Sequence, residues 1–394
     1  MALNQPNVDL HEALAFAQSK GRSAIQQLKD IVRVIRAGHK MSAQEYYYYG
    51  LFDSELYDDE ERSRFLSDNY HQISCPKTCD VTWRAIHDDK LISQMVLQSD
   101  GAPVPRIRAI VHPFRRFPNA PTLASPEETA GWLRNDAVFP LFSKPVTGVQ
   151  SMGQAIIDGV DADADTLQLR KSEPMSVDDF VLEVWKFRGT SSNDGHMFQE
   201  VLQPHPQLLD LCGPGISGFR VIVQLERDGP RITHTTWKIV SGGNIADNLW
   251  REGNMVAHVD PHTGKVLRIV RGTGIHIEVV TEHPDTGTEL LGVTLPDWED
   301  LRKLVLDCSA LTPKVRLQGW DIALCERGPV ILEANAGTGF RLHQLASAKG
   351  FMTPEFRKFL DRAAQAMRDD QKPGFELGSA NGNRKSRTEP EDGS

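Results

Sequence analysis

Three oxygen-bearing side chains near the C-terminal end of this sequence have the spacing of a divalent-cation site. They lie in Gly319-Trp320-Asp321-Ile322-Ala323-Leu324 and in Gly328-Pro329-Val330-Ile331-Leu332-Glu333-Ala334-Asn335. The two segments read as strands joined by a turn at Glu326-Arg327-Gly328. Residues two apart on a strand share a face, so Glu333 and Asn335 point the same way, and a neighbouring strand can bring Asp321 beside them. Such a set suits a hard cation such as Mg²⁺, which keeps several waters and shares substrate phosphates. The chemistry it points to is that of a nucleotide.

A nucleotide site also needs cations and a close backbone. Lys144 ends an apolar strand and is followed by a loop holding Gly148, Ser151 and Gly153. Such a loop lets backbone N–H groups approach phosphate oxygens, with the lysine as a point charge. It matches neither G-x-x-x-x-G-K-[ST] nor G-x-G-x-x-G, and taken alone it is better explained as a turn between strands. Gln199-Glu200-Val201-Leu202 is a strand end that meets Gln203-Pro204-His205-Pro206. Backbone groups freed where pairing stops at a proline can read an adenine edge, with help from Glu200; an ordinary edge strand is the plainer reading. Arg220 lies inside the strand-like Gly218-Phe219-Arg220-Val221-Ile222-Val223, and Lys238 inside another strand-like run. A cation on a buried sheet face needs an anionic partner, and one on an outward face needs none.

The elements that must position these groups follow from periodicity. Residues 9–37 read as helical, with Leu10, Leu14, Phe16, Ala17, Ile25, Leu28, Ile31, Val32 and Ile35 at helical intervals. The run Tyr46-Tyr47-Tyr48-Tyr49 reads as a packing face. A short helix is expected over 89–99, a strand over 106–111, a helix over 126–134, and a strand ending at Lys144. Then come a strand at 154–158, a helix from Ser176 to about Phe187, and a strand from His196 to Leu202. Strands are expected at 218–226, 231–240, 255–259 and 265–270, and helices at 296–310, 341–348 and 354–368. Residues 370–394 are nearly devoid of apolar side chains and read as a disordered tail.

Composition bounds the alternatives. With 394 residues the chain suggests two or three domains. A formal net charge of −9 argues against nucleic acid as the main partner. No apolar run is long enough to span a bilayer, and no secretory signal is visible, so a cytoplasmic protein is expected. Cys75 and Cys79 form the one close cysteine pair among five; reduced thiols are the plain reading, and zinc a weak one.

The order of these pieces carries a resemblance. The strings are Asp89-Lys90, Ala102-Pro103-Val104-Pro105, Lys144 with its Gly loop, Phe198-Gln199-Glu200, His205-Pro206 and Phe219-Arg220-Val221. Asp247-Asn248, His283-Pro284-Asp285-Thr286-Gly287, Leu295-Pro296 with Trp298, and the Asp321…Glu333-Ala334-Asn335 pair complete it. Over roughly 85–350 the chain resembles the ATP-grasp superfamily, in particular its sugar-transfer-associated branch, related to glutamate-ligase-like enzymes.

The resemblance implies an α+β fold in which two subdomains grip Mg-ATP, with a mainly helical N-terminal region. Its boundaries would be 1–100 for the helical region, 101–205 and 206–369 for the two subdomains, and 370–394 for the tail. ATP and Mg²⁺ (or Mn²⁺) are the implied cofactors. Lys144 would hold the α/β-phosphates, and Gly148, Ser151 and Gly153 would close over them. Gln199, Glu200, Val201 and Leu202 would read adenine, with Asn248 also in the nucleotide site. Arg220 and Lys238 would neutralise the γ-phosphoryl group, and Asp321, Glu333 and Asn335 would hold the metal. Lys238 stands where related ligases more often carry arginine. Trp250 and Arg251 replace the Gly-Gly pair that relatives show after Asp-Asn, and are placed to reach the acceptor.

The activity so implied is an ATP-dependent ligase that makes an acyl phosphate from a small-molecule carboxylate and joins it to an amine-type nucleophile. A phosphotransferase acting on a small molecule or sugar shares every ATP residue. A nucleotide-binding scaffold without catalysis is the third reading, although all three metal-site residues are present. Neither nucleic acid nor membrane is an expected partner, and the sequence leaves the oligomeric state unknown.

Overall fold

A computed structural model describes residues 8–147, 153–187, 194–242, 244, 253–272 and 274–370. Gly148, Ser151, Asn248, Trp250, Arg251 and the expected tail from 371 onward lie outside the described residues.

The N-terminal region is helical, but its first helix divides into α1 (Leu10–Ser19) and α2 (Ala24–Arg36), because Ser23 and Gln26 form a capping box that starts the second. The buried side of α2 corrects the periodicity reading. Ile25 and Leu28 are 69% and 63% exposed, whereas Gln27, Asp30 and Val34 are buried. Burying polar groups costs little when every one is bonded. Asp30 accepts two hydrogen bonds from Arg22, both at 2.9 Å, and one from the Tyr46 hydroxyl at 3.0 Å. Gln27 donates to the Arg22 carbonyl at 2.6 Å and accepts from the Tyr47 hydroxyl at 2.8 Å. The tyrosine run lies on and just after α3 (Ala43–Tyr48) and is buried with Phe52, Phe65 and Leu345. The short helices α4 (Asp59–Ser63), α5 (His71–Thr78) and α6 (Val81–Asp88) follow, then α7 (Lys90–Ser99).

Two seven-stranded sheets are present among the described residues. The first contains β1 (Ile107–Val111), β2 (Thr122–Leu123), β3 (Leu141–Pro145), β4 (Ala155–Asp161), β5 (Thr166–Leu169), β6 (Met175–Ser176) and β7 (His196–Glu200), in the order β2-β1-β7-β3-β4-β5-β6. Helices α8 (Pro126–Asn135) and α9 (Val177–Lys186) pack on one face around Phe198 and Leu141. The apolar stretch before Lys144 starts as a strand at Leu141 and not at Val138, which is exposed.

The second sheet follows α10 (Pro206–Cys212), a helix absent from the periodicity reading. It contains β8 (Gly218–Glu226), β9 (Gly229–Ile239), β10 (Met255–Val259), β11 (Val266–Arg271), β12 (Glu278–Val280), β13 (Leu317–Cys325) and β14 (Gly328–Ala336). Their order is β12-β11-β10-β9-β8-β13-β14, antiparallel throughout. Register separates its two faces. Phe219, Val221, Trp237, Trp320 and Ile322 share one face and pack with Trp298, Leu301 and Val305 of α11 (Trp298–Ser309). Arg220, Thr236, Lys238, Asp321, Glu333 and Asn335 share the other. Part of that second face is covered by α12 (Arg341–Ser347), which buries Leu342 and Ala346 on Val256 and Val270. The last helix, α13 (Pro354–Asp370), packs beside α5. Gln344 of α12 exchanges hydrogen bonds with the Leu66 backbone, both at 2.8 Å, which joins the N-terminal region to this sheet.

Candidate nucleotide and metal site

Asp321 is the centre of the site. It sits on β13, whose residues are all buried because β8 and β14 flank it on either side. An isolated carboxylate there would be costly, so the strand face must supply partners. Arg220 stands opposite it on β8 and makes a two-pronged contact, Nε to Oδ1 at 2.9 Å and Nη2 to Oδ2 at 2.7 Å. Lys238, two residues beyond the Arg220 partner Thr236, donates to Oδ1 at 3.0 Å. The Asn335 amide donates to Oδ2 at 3.2 Å. Burial pushes the Asp321 carboxyl up, but Arg220 and Lys238 outweigh it and hold the group far below the usual carboxylate range.

Glu333 faces Asp321 directly across the β13–β14 pairing. It forms an ion pair with Lys90, with 3.7 Å between Nζ and Oε2. The spacing argument for Asp321, Glu333 and Asn335 thus meets a strand pair in which all three share a face. Among the described residues no cluster of three or more His, Cys, Asp or Glu could enclose a metal. A site with two carboxylates and an amide fits Mg²⁺, which takes part of its shell from water and phosphate. Asn335 turns its NH₂ toward Asp321, which leaves its carbonyl oxygen for another partner.

Lys144 enters from the other sheet. It lies on β3 opposite Met197 and is 6% exposed. Burial, reinforced by the like charge of Lys90, pushes its ammonium down to about 8, while Glu333 and Asp321 pull the other way. Lys144 thus feels the charge of both acids, and no hydrogen bond or ion pair joins it to either among the described residues. Lys90 is a site residue that the motif reading quoted in a string without giving it a role. It is the first residue of α7, whose N-cap Asp89 accepts from the Leu91 and Ile92 backbone and is clamped by Arg115 at 2.6 Å. An Asp-Lys pair that opens a helix was the signal available, and cap chemistry alone would have explained it.

The remaining sequence candidates divide. Glu200 is committed: its Oε1 accepts from the Arg106 backbone at 2.9 Å and from Arg327 at 2.5 Å. Because Arg327 lies in the β13–β14 turn, this pair ties the end of β7 to the β13–β14 hairpin. Leu202 packs with Ala323, Cys325, Val330 and Leu332 of that hairpin, beside Ile216. Gln199 is buried, and its Nε2 has no hydrogen-bond partner among the described residues. Val201 is half-buried next to it. Gly153 has a positive φ and lies against the Phe187 ring, while Gly148, Ser151 and Asn248 are among the residues not described. The structure brings together Lys90, Lys144, Arg220, Lys238, Asp321, Glu333 and Asn335. It places Gln199, Glu200, Val201 and Leu202 at the end of β7, where the hairpin turn meets it.

A family model described as sugar-transfer associated ATP-grasp matches residues 78–358. No curated protein sequence matches the chain. Among solved structures it is similar to the L-amino acid ligase from Bacillus licheniformis, with 12% identity, a TM-score of 0.40, and coverage of 71% of this chain and 49% of that one. It is also similar to the VanG D-Ala:D-Ser ligase from Enterococcus faecalis, with 13% identity, a TM-score of 0.41, and coverage of 73% and 63%. The D-alanine–D-alanine ligase from Bacillus anthracis gives 12%, 0.41, 74% and 72% in the same order. The chain thus spans about half of the first of these relatives and less than two thirds of the second.

Proposed function

This chain belongs to the sugar-transfer associated ATP-grasp family, and from that premise we propose that it is an ATP- and Mg²⁺-dependent ligase that activates a carboxylate as an acyl phosphate and passes the acyl group to an amine-type nucleophile. The observation that carries this reading is the shared sheet face of Asp321, Glu333 and Asn335, approached by Lys90 and Lys144 from outside that sheet. Bound Mg-ATP supplies the phosphoryl group. Transfer of that group needs alignment and neutralisation of charge more than covalent help from the protein.

Each residue then has a task. Lys144 and Lys90 would bind phosphate oxygens. The backbone at Val201 and Leu202 meets the adenine edge, with Gln199 as a further donor. Glu200 holds that strand end in place through Arg327. Glu333, Asn335 and Asp321 hold the metal, with Mn²⁺ as a substitute. Arg220 and Lys238 are fixed by Asp321 at defined angles, so they can receive negative charge on the acyl phosphate without reorganising.

The test is ADP release from ATP and Mg²⁺ with a panel of amino acids and other small carboxylates, run with and without hydroxylamine. A ligase gives carboxylate-dependent ADP and a hydroxamate. ADP formed with a hydroxyl acceptor and no hydroxamate identifies a phosphotransferase, and absence of nucleotide binding overturns the reading altogether.

A further inference from the structure

The sequence singles out Cys75 and Cys79 as a close pair, and nothing in the nucleotide site uses them. Cys75 lies in α5 and Cys79 is its C-cap residue, whose N–H donates to the Cys75 carbonyl at 2.8 Å. An i, i+4 pair on a helix has Cα atoms about 6 Å apart, inside the window of roughly 4.4–6.8 Å that a disulfide spans. Both are free thiols. Cys79 is anchored by a bridge to Val315, just before β13, and its thiol donates to the Asp80 carbonyl at 3.4 Å. Cys75 is half-buried and lies against Gly337. A Cβ placed on Gly337 would lie 3.2 Å from the Cys75 sulfur, so thiol and glycine are in contact. Gly337 is two residues beyond Asn335, on the segment that leaves the metal-site hairpin. Cys212, Cys308 and Cys325 are buried elsewhere.

We propose that Cys75 and Cys79 form a dithiol oxidation site, which takes a low-molecular-weight disulfide of the glutathione type and closes to an intramolecular disulfide. The roles differ by environment. Cys75 is half-buried, and the neighbouring Cys79 brings its thiol down to about 7; Cys79 is buried, and Cys75 together with burial pushes its thiol well up. The half-exposed Cys75 is therefore the attacking thiolate and Cys79 the resolving thiol. Cys75 loses its proton to water and attacks one sulfur of the small disulfide. A Cys75–S–S–R bond forms and one small thiolate leaves. Cys79 then loses its proton and attacks the Cys75 sulfur, which forms the protein disulfide and expels the second small thiolate. Overall the two protein thiols are oxidised by two electrons and the small disulfide is reduced to two small thiols.

The test uses the full chain and oxidised glutathione as the probe, with thiols counted under denaturing conditions and the products mapped by mass. The proposal expects the protein to lose two of its five thiols and the mass of two hydrogen atoms, with the link mapped to Cys75 and Cys79 and reversed by dithiothreitol. Cys79→Ser should stop at one glutathione attached to Cys75, and Cys75→Ser should take none at either position. Retention of all five thiols, a disulfide mapped to other cysteines, or a Cys79→Ser protein that takes no glutathione overturns it. These readouts do not depend on nucleotide turnover, so they stand or fall apart from the ligase reading.

Discussion

Lys144 is a buried cation that the apo protein holds at a cost, and replacing it by methionine separates function from stability. The methionine keeps the stem and removes the charge. Burial and the neighbouring Lys90 lower the Lys144 ammonium from its ordinary 10.5 to about 8. At 1.36 kcal/mol per pKa unit, that displacement corresponds to about 3 kcal/mol of preference for the neutral form in the folded chain. Lys144→Met should therefore stabilise the protein at pH 7 by up to about 3 kcal/mol, a rise of several degrees in the unfolding midpoint. It should also weaken ATP about 10- to 100-fold, through loss of one charge-assisted phosphate contact.

The pH dependence makes the test specific. The folded pKa lies below the unfolded one, so between about pH 8 and 10.5 the unfolded chain binds more protons and wild-type stability rises with pH. The variant has no such group. Its advantage should be full below pH 8 and vanish by pH 10.5, read by urea denaturation of both proteins across that range. A variant less stable than wild type at pH 7, or a gap that does not change with pH, refutes the reasoning.

Glu333→Gln should abolish Mg²⁺-dependent turnover and leave the midpoint nearly unchanged, because its ion pair with Lys90 is a long contact of 3.7 Å; calorimetry with Mg-ADP and thermal melts check both halves. Asp321→Asn should also abolish turnover, but at a loss of about 3–5 kcal/mol of stability in denaturant titration, since it breaks a buried group paired with two cations. Gly319→Ala should destabilise by about 1–3 kcal/mol, because the new Cβ would lie 2.5 Å from the Thr338 hydroxyl on this crowded face. In α2, Leu28→Ser should shift stability by no more than about 0.5 kcal/mol, whereas Asp30→Ala should cost about 3 kcal/mol by stranding Arg22 and the Tyr46 hydroxyl.

Alternation on strands carries far in this protein. Glu333 and Asn335 share a face because they are two apart, and Arg220 and Lys238 prove to be inward cations because β8 lies beside β13 and β9 lies beside β8, in register on the same face. Which strands become neighbours is a different kind of information. No local pattern states that residue 220 meets residue 321, and the resemblance gave the two residues roles in one nucleotide site without pairing them. Lys90 escaped because a lysine at a helix start has a sufficient local explanation in its capped helix. The α2 face was misread for a related reason. A helical period gives two faces, and the buried one was decided by tyrosine hydroxyls and Arg22, which hydrogen-bond Gln27 and Asp30 from outside the helix. The polar network outcompeted four aliphatic side chains that share the opposite stripe.

The pairing of β8 with β13 also orders events while the chain is made. Arg220 and Asp321 are 101 residues apart, and Lys90, Lys144, Arg220 and Lys238 all leave the ribosome before either acid that neutralises them. Until residues 317–336 emerge, β8 has an unpaired edge and the cations of the cleft have no counter-charge. The two acids arrive together on one hairpin with a short turn, so sheet closure and neutralisation of the site are a single late step. Chains that end before residue 317 should therefore lose the proposed nucleotide site and the closure of the second sheet together, and expose an aggregation-prone strand edge in their place.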